Sequence, residues 1–189
     1  MFANMKVATK LFGAFALVLL LMAGLGVYAV QSIAAVNGAT RDFATNWLPS
    51  VKAVVQIKAE VNRLRVLDYR GIAETEAAGI ADNDRQVEQK LADLRRLIDV
   101  YVPLISSPEE RQTYEVFKAG WEGYQVERNK VAALSRANKN AEATVLIAGD
   151  SLKHYQGMLA ALDKLTDINV GGGDKAAQTA EQTYENHAS

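Results

Sequence analysis

The sequence predicts an all-α fold: an up-down-up-down antiparallel four-helix bundle preceded by one transmembrane helix. Three observations support this prediction. Residues 11–30 contain no charged side chain. The remaining chain repeats apolar residues at intervals of three and four, without the strict alternation of a strand or a hairpin signal. Only 3 of the 189 residues are proline, which leaves long segments free to form helix.

The apolar segment at residues 11–30 has the length of a membrane-spanning helix. At a rise of ~1.5 Å per residue it covers ~30 Å, the thickness of the hydrocarbon core of a bilayer. Lys6 and Lys10 precede it, and positive charge near a membrane helix favours the cytoplasmic side. Residues 1–10 are therefore predicted to be cytoplasmic and residues 31–189 to lie outside the cytoplasm.

Two other interpretations of residues 11–30 are less favoured. A cleaved signal peptide has an apolar stretch of roughly 7–15 residues, and a buried core helix is usually shorter than about 18 apolar residues. The uncharged run is longer than either type of segment requires. An uncleaved anchor is therefore the favoured interpretation.

The first bundle helix is predicted to run from Gln31 to about Ala78. Its apolar stripe is formed by Val51, Val54, Ile57, Val61 and Leu64. Pro49 lies within this run and predicts a kink or a local break. Gly79 and the polar cluster at residues 82–84 predict the turn that follows.

The other three bundle helices are predicted over residues 84–101, 108–137 and about 145–168. Ser107 as cap, Pro108 at the first helical position and the following two glutamates form a strong helix start. A turn is predicted at residues 138–140, where Asn-Lys-Asn stands.

The predicted organisation has four segments. They are a cytoplasmic N-terminus at residues 1–10, a transmembrane helix at 11–30, a bundle domain at 31–170 and a membrane-proximal helical tail at 171–189. The glycine run Gly171–Gly173 predicts a hinge at the start of the tail. A second transmembrane helix, where one exists, is expected beyond Ser189.

The composition argues against several functional classes. The net charge of −1 does not suit a nucleic-acid binder, which needs surplus Lys and Arg to neutralise phosphates. No cysteine is present, and 2 histidines are too few for a histidine-rich metal centre. No nucleophile has an identifiable base, and no glycine-rich loop follows a strand. We therefore expect neither an enzyme nor a bound metal or cofactor.

Several features of the chain, taken in order, resemble one family of proteins. They are the early anchor, the Leu48-Pro49-Ser50-Val51 step, the arginine-rich stretch at residues 62–70, the Trp121/Tyr124 pair and the leucine repeat ending at Asn169. In this order they resemble methyl-accepting chemotaxis proteins with a four-helix-bundle ligand-binding domain. The resemblance implies a periplasmic sensor in the bacterial inner membrane that forms a homodimer, with higher oligomers as the open alternative. It also implies a cytoplasmic signalling part, outside this sequence, that engages kinase and coupling proteins.

The resemblance implies a ligand site on the first bundle helix. In the family, small anions bind at the dimer interface between arginines of helix 1 and polar groups of helix 4, and arginine can grip a carboxylate with two hydrogen bonds. Arg63 and Arg70 are seven residues apart and share one face. Arg65 points elsewhere and forms a second polar row with Asn62 and Tyr69. The alternative is that these arginines lie on a solvated surface and pair with acidic residues at helical spacing.

The fourth helix departs from the pattern of the amino-acid receptors. Those receptors carry a Gln-Pro-Thr element where this chain has Leu146-Ile147-Ala148, which offers no matching side chain. A carboxylic acid without an amine, such as a C4-dicarboxylate, a tricarboxylate or an aromatic acid, is therefore the expected ligand. Thr144 and Tyr155 are candidate neutral hydrogen-bonding groups, although Tyr155 lies on the leucine stripe and is interpreted as a core residue.

Four other side chains are interpreted as structural. Phe117, Trp121 and Tyr124 could form an aromatic cage, but their spacing of three and four matches a core face. His154 is interpreted as a solvated helix residue.

Three functional hypotheses remain at this point. The leading one is a chemoreceptor sensor whose ligand shifts helix 4 against helix 1. A second places the same domain on a histidine kinase or a cyclic-dinucleotide enzyme. A third is a helical stalk or an adaptor that recognises a periplasmic binding protein.

Overall fold

The computed structural model describes residues 6–188, with the side chains of residues 6–183. Its elements are α1 (Val7–Asp42), a π-helical segment (Phe43–Trp47), α2 (Leu48–Ala73), α3 (Ala77–Tyr101), a 3-10 turn (Val102–Leu104), α4 (Pro108–Arg136), α5 (Asn140–Ala148) and α6 (Asp150–Ala188). No strand occurs in the described residues. Residues 1–5 and Ser189, at the outer ends of the predicted terminal segments, lie outside them.

The helices form two compact units. The larger unit, Ala44–Gly173, contains the bundle. The other contains the described parts of Met1–Phe43 and Asp174–Ser189. The predicted boundaries at residues 30/31 and 170/171 mark changes in the composition of the sequence. The boundaries of the two compact units, at residues 43/44 and 173/174, mark where the contacts between helices change.

The smaller unit contains the predicted anchor. No residue of α1 is buried, although most of its side chains between residues 11 and 30 are apolar. Of the helices in the described part of the chain, one is long and apolar enough to cross a membrane, by length and composition. It runs from Val7 to Ala73, and its most apolar stretch lies near the N-terminus. An unburied apolar helix of this length is typical of a segment that contacts lipid.

The break predicted at Pro49 is confirmed in the form of the π-helical segment Phe43–Trp47. Proline has no N–H to donate to the carbonyl four residues earlier, and its ring crowds that carbonyl. The wider π-helical turn, which ends two residues before Pro49, accommodates both effects. The backbone therefore stays helical from α1 into α2 without a loop.

The bundle is formed by α2, α3, α4 and the α5–α6 pair, which follow one another with short connections. The predicted stripe of α2 is confirmed as core at Val54, Ile57, Val61 and Leu64, which are 0–1% exposed, whereas Val51 is only half-buried. The α4 aromatics that were interpreted as core also lie there, namely Phe117, Trp121 and Tyr124. Burying each of these side chains contributes about 1.5–3 kcal/mol, so these stripes account for much of the association of the helices.

The turn between α2 and α3 lies earlier than predicted, at residues 74–76. There the Glu74 carboxylate accepts hydrogen bonds from the next two backbone N–H groups, at 3.2 and 3.3 Å. Gly79 and the cluster at residues 82–84, predicted as the turn, lie inside α3. Asn83 is buried and donates to the carbonyl oxygen of Leu67, and both aspartates pair with arginines of other helices. These polar residues therefore join helices instead of reversing the chain.

The predicted start of α4 is confirmed and extends into a buried hydrogen-bond network. Ser107 Oγ accepts from the backbone N–H of Glu110 at 3.1 Å. The Glu110 carboxylate, with 0% exposure, accepts from the Tyr101 hydroxyl, the Asn169 amide and the Ser106 N–H, each at 2.8 Å. One side chain thus joins α4 to the end of α3 and to α6.

The fourth bundle helix was predicted as one continuous helix, but it divides at Gly149 into α5 and α6. A Cβ atom at Gly149 would lie 3.2 Å from the carbonyl oxygen of Val145, so a side chain there would be crowded. The predicted turn at residues 138–140 is confirmed at Asn138, which has a positive φ of 58°. Asparagine tolerates this conformation better than most residues.

The hinge predicted at Gly171–Gly173 is not observed as a break, because these residues are helical within α6. Gly172 has a packing role instead. A Cβ atom there would lie 2.3 Å from Cζ3 of Trp47, so glycine lets the indole ring pack directly on the helix backbone.

We expect Glu110→Ala to lower the free energy of unfolding by about 3 kcal/mol, because it removes the acceptor of two buried donors, the Tyr101 hydroxyl and an Asn169 N–H, and of the partly buried Ser106 N–H. Glu109→Ala is the matched control. Glu109 is exposed and pairs with Lys164 at 3.3 Å, so its loss should cost less than about 1 kcal/mol. Denaturant unfolding of the full chain, followed by circular dichroism, measures both. Equal midpoints for the two variants would contradict the structural role given to Glu110.

Candidate functional site

The two predicted ligand arginines, Arg63 and Arg70, lie on the exposed side of α2. The Arg63 side chain is 61% exposed and forms an ion pair with Glu60 on the same helix. The Arg70 side chain is 42% exposed and lies 3.2 Å from Asp82 of α3. Both guanidinium groups are therefore accessible, although Arg63 pairs with a buried carboxylate and Arg70 with a half-exposed one.

A basic groove lies beside Arg63, between α2 and α3. Its volume is about 320 Å³. It is lined by Asn62, Arg63, Val66 and Leu67 of α2 with Gln86 and Lys90 of α3. Two cations line this basic groove, and both have carboxylate partners outside the lining: Glu60 pairs with Arg63 and lies 3.3 Å from Lys90, and Asp93 lies 2.8 Å from Lys90. An anion bound in the groove would compete with these carboxylates for the two cations.

Arg70 is connected to the basic groove through Asp82. Gln86 Nε2 donates to Asp82 Oδ2 at 2.7 Å, and Arg70 Nη2 donates to the same oxygen at 3.2 Å. Hydrogen bonds from Gln86 and nearby arginines lower the pKa of Asp82, which therefore stays ionised and holds Arg70 in place. Arg70 thus lies next to the basic groove without lining it.

The predicted candidate Arg65 lies inside the bundle, with an exposure of 5%. Its guanidinium donates to the Ile147 carbonyl at 2.6 Å and to Ser151 Oγ at 2.7 Å. A third hydrogen bond, at 3.3 Å, goes to the hydroxyl of Tyr69. The donors of Arg65 therefore hold the junction between α5 and α6.

Three tyrosine rings surround the Arg65 guanidinium. The ring centroids of Tyr69, Tyr155 and Tyr124 lie 5.0, 5.1 and 5.9 Å from Cζ. Cations over aromatic faces are stabilised by the ring quadrupole, more strongly when desolvated. Tyr155, which was interpreted as a core residue, is half-buried. Its hydroxyl donates to Oδ1 of Asn62, a member of the predicted polar row of Asn62, Arg65 and Tyr69, at 2.8 Å.

The predicted candidate Thr144 forms no hydrogen bond with the candidate ligand-binding residues of α2. It is exposed on α5, and its hydroxyl donates to the carbonyl oxygen of Asn140 at 2.8 Å within the same helix.

His154 also differs from its interpretation as a solvated residue. It is partly buried, and its imidazole occupies the space beside Gly123, where a Cβ atom would lie 2.3 Å from Cε1.

One turn after Arg65, α2 contributes a buried ion pair. Asp68 lies 2.8 Å from Arg128 of α4, and both side chains are about 5% exposed. The Tyr124 hydroxyl donates to the same carboxylate at 2.6 Å. Burial and then the charge of Asp68 raise the pKa of Tyr124, so its hydroxyl remains a donor throughout the neutral range.

One known family matches nearly the whole chain. The model of the four-helix-bundle sensory module for signal transduction matches residues 4–184. The chain belongs to this family. The match confirms the fold class and the resemblance to a chemoreceptor sensor domain. No curated protein matches the chain.

Sequence reasoning missed two of the four polar residues that line the basic groove in this sensory module. Lys90 and Gln86 lie four residues apart and share a face of α3. That spacing is detectable in the sequence, but it does not show which helix the face meets. The sequence also gave no sign that Arg65 and Asp68 are buried, because charged residues are mostly exposed.

We expect Asp68→Asn to lower the free energy of unfolding of the sensory module by about 3 kcal/mol, because it leaves the Arg128 charge buried without a counter-charge. The matched control is Asp84→Asn. Its partner Arg136 is 55% exposed, so the cost should stay below about 1 kcal/mol. Urea unfolding of both variants measures the difference, and a loss at Asp68 no greater than at Asp84 would contradict the prediction.

Proposed function

We propose that this sensory module is the extracytoplasmic ligand-binding part of a bacterial chemoreceptor, anchored in the inner membrane by α1. In this proposal it binds a small organic acid, with a C4-dicarboxylate or a tricarboxylate favoured, and it catalyses no reaction. The observation that carries the proposal is the basic groove beside Arg63. The family match supports a role in signal transduction, and the unburied apolar α1 supports a membrane anchor.

The lining of the basic groove supports an anionic ligand with more than one acceptor group. Arg63 and Lys90 come from different helices, so a ligand with two carboxylates can engage both cations. Asn62 and Gln86 offer neutral hydrogen-bonding groups. Glu60 pairs with Arg63 and lies 3.3 Å from Lys90, and Asp93 lies 2.8 Å from Lys90. A ligand that engages both cations would therefore take the places that these two carboxylates hold now.

The exposed face of α2 supports the proposed homodimer. Counting every seventh residue from Leu48 gives Leu48, Val55, Asn62 and Tyr69, and counting from Lys52 gives Lys52, Ala59, Val66 and Ala73. All eight are exposed or half-exposed in the single chain. Two rows at this spacing form the contact surface of a coiled coil, and a polar residue such as Asn62 within a row favours one register.

The proposed signal is a shift of the fourth bundle helix against α2. A ligand moves this equilibrium only by its difference in affinity for the two arrangements. Arg63 contacts the basic groove, and Arg65, two residues away, holds the junction of α5 and α6. A displacement of ~1–2 Å along a helix is typical of such coupling.

Calorimetric titration of the full chain in detergent with succinate, malate, citrate and aspartate tests the ligand class. We expect saturable binding of a di- or tricarboxylate, weakened at least about tenfold by Arg63→Ala or Lys90→Ala, because each removes a charge-assisted hydrogen bond. Arg70→Ala should weaken binding less, because Arg70 does not line the groove. Arg95→Ala, an exposed α3 arginine outside the groove, is the control.

Silence across this panel from a folded chain would contradict the organic-acid proposal and favour the stalk or adaptor. Binding that Arg63→Ala and Lys90→Ala leave intact would place the ligand elsewhere. Tighter binding of aspartate than of succinate would overturn the preference for acids without an amine.

The mass of the protein in detergent, measured by sedimentation with and without succinate, tests the dimer. We expect a dimer that Val66→Arg converts to a monomer, because two facing α2 helices would then bury like charges. Val126→Arg is the control, because Val126 lies on α4 and is 55% exposed, which is comparable to the exposure of Val66. This variant should leave the dimer intact. A monomeric wild-type chain, or an unchanged dimer in Val66→Arg, would refute the α2 contact.

A further inference from the structure

Glu60 of α2 contacts both cations of the basic groove. Its side chain is only 10% exposed. Its Oε1 accepts a hydrogen bond from Arg63, and its Oε2 lies 3.3 Å from Nζ of Lys90. Glu60 thus supplies negative charge to the two cations that the proposed ligand would engage.

A ligand that takes over these cations would leave the Glu60 carboxylate without a counter-charge. Its Oε2 is buried and accepts no hydrogen bond from the described part of the chain, so this atom depends on the charge of Lys90. A carboxylate with so little contact with water is costly to keep ionised without a partner, and protonation removes that cost. The ligand also brings its own carboxylates close to Glu60, which favours the neutral acid further.

Asp93 of α3, the other carboxylate beside Lys90, would not be isolated in this way. Its side chain is 21% exposed, and it also pairs with Arg96 on the same helix. The hydrogen bond from Lys90 lowers the pKa of Asp93. After the loss of Lys90, Asp93 would keep Arg96 and its contact with water, so it stays ionised. The charged residues beside Glu60 on α2 and α3 are Arg63, Lys90, Asp93 and Arg96.

We infer that an organic acid binds in the basic groove together with one proton, which Glu60 takes up from the solvent as its carboxylate becomes a carboxylic acid. This coupling rests on the proposed function, because it needs a ligand that engages both cations. The neutral acid no longer repels the carboxylates of the ligand and offers one of them an O–H donor. Since the complex holds more protons than the free protein, the affinity is highest at low pH and falls as the pH rises.

Calorimetric titration of the full chain in detergent with succinate measures the proton directly. At about pH 7 and above, succinate keeps both of its carboxylates ionised. Titrations in Hepes and in Tris, whose ionisation enthalpies differ, give the number of protons taken up. We expect between about half a proton and about one proton per bound succinate, so the dissociation constant should rise about three- to tenfold between about pH 7 and about pH 8.

Two variants separate proton uptake from simple competition. Glu60→Gln and Asp93→Asn each remove one carboxylate that holds Lys90 and keep the shape of the side chain. Both should bind succinate at least as tightly as the wild-type chain at about pH 8. Glu60→Gln should lose the proton uptake, and its dissociation constant should change less than about twofold over the same pH range. Asp93→Asn should keep the proton uptake of the wild-type chain, and circular dichroism checks that both variants are folded.

Succinate binding to the wild-type chain without proton uptake would overturn the coupling and leave the organic-acid proposal intact. Proton uptake that persists in Glu60→Gln, or that is lost equally in Asp93→Asn, would overturn the assignment to Glu60. Failure of the wild-type chain to bind succinate at either pH would overturn the coupling together with the proposed C4-dicarboxylate ligand.

Discussion

The bundle depends on how it holds the buried guanidinium of Arg65. A buried cation is costly unless its donors are paired, and no carboxylate of the described residues forms an ion pair with it. Its acceptors exist because the fourth bundle helix breaks at Gly149. The last carbonyls of a helix have no partner within that helix, and Ile147, near the end of α5, offers one of them to Arg65. Ser151, in the first turn of α6, provides the second acceptor.

This arrangement makes α2 the element to which the other helices of the bundle are fixed. Its apolar stripe forms much of the core, Arg65 holds the α5–α6 junction, and Asp68 holds Arg128 of α4. The exposed side of α2 carries Arg63 and the heptad rows, and two members of these rows contact the Arg65 cluster, since Tyr69 accepts from Arg65 and Asn62 accepts from Tyr155. A ligand or a second subunit on that side would therefore act on the helix that positions all the others. This connection is the physical basis of the proposed signalling.

The features predicted correctly from the sequence are those set by local chemistry. The Ser107 cap with Pro108 and the break before Pro49 follow from neighbouring residues alone. The α2–α3 turn and the division at Gly149 were missed because long-range pairing decides them. Asn83 satisfies the Leu67 carbonyl of α2, and such a contact overrides the preference of Asn and Asp for turns. For the same reason Gln86 and Lys90, the α3 side chains that line the groove with Arg63, were not found from the sequence.

The claim that Arg65 holds the α5–α6 junction is tested most directly by amide hydrogen exchange over residues 143–152. In Arg65→Met these amides should exchange at least about tenfold faster than in the wild-type chain, because hydrogen bonds to a charged group are worth about 1.5–3 kcal/mol. Amides in the middle of α3 should be unaffected, and the exposed control Arg63→Met should match the wild type throughout. Unchanged exchange at residues 143–152 in Arg65→Met, or equal acceleration across the whole bundle, would contradict this claim.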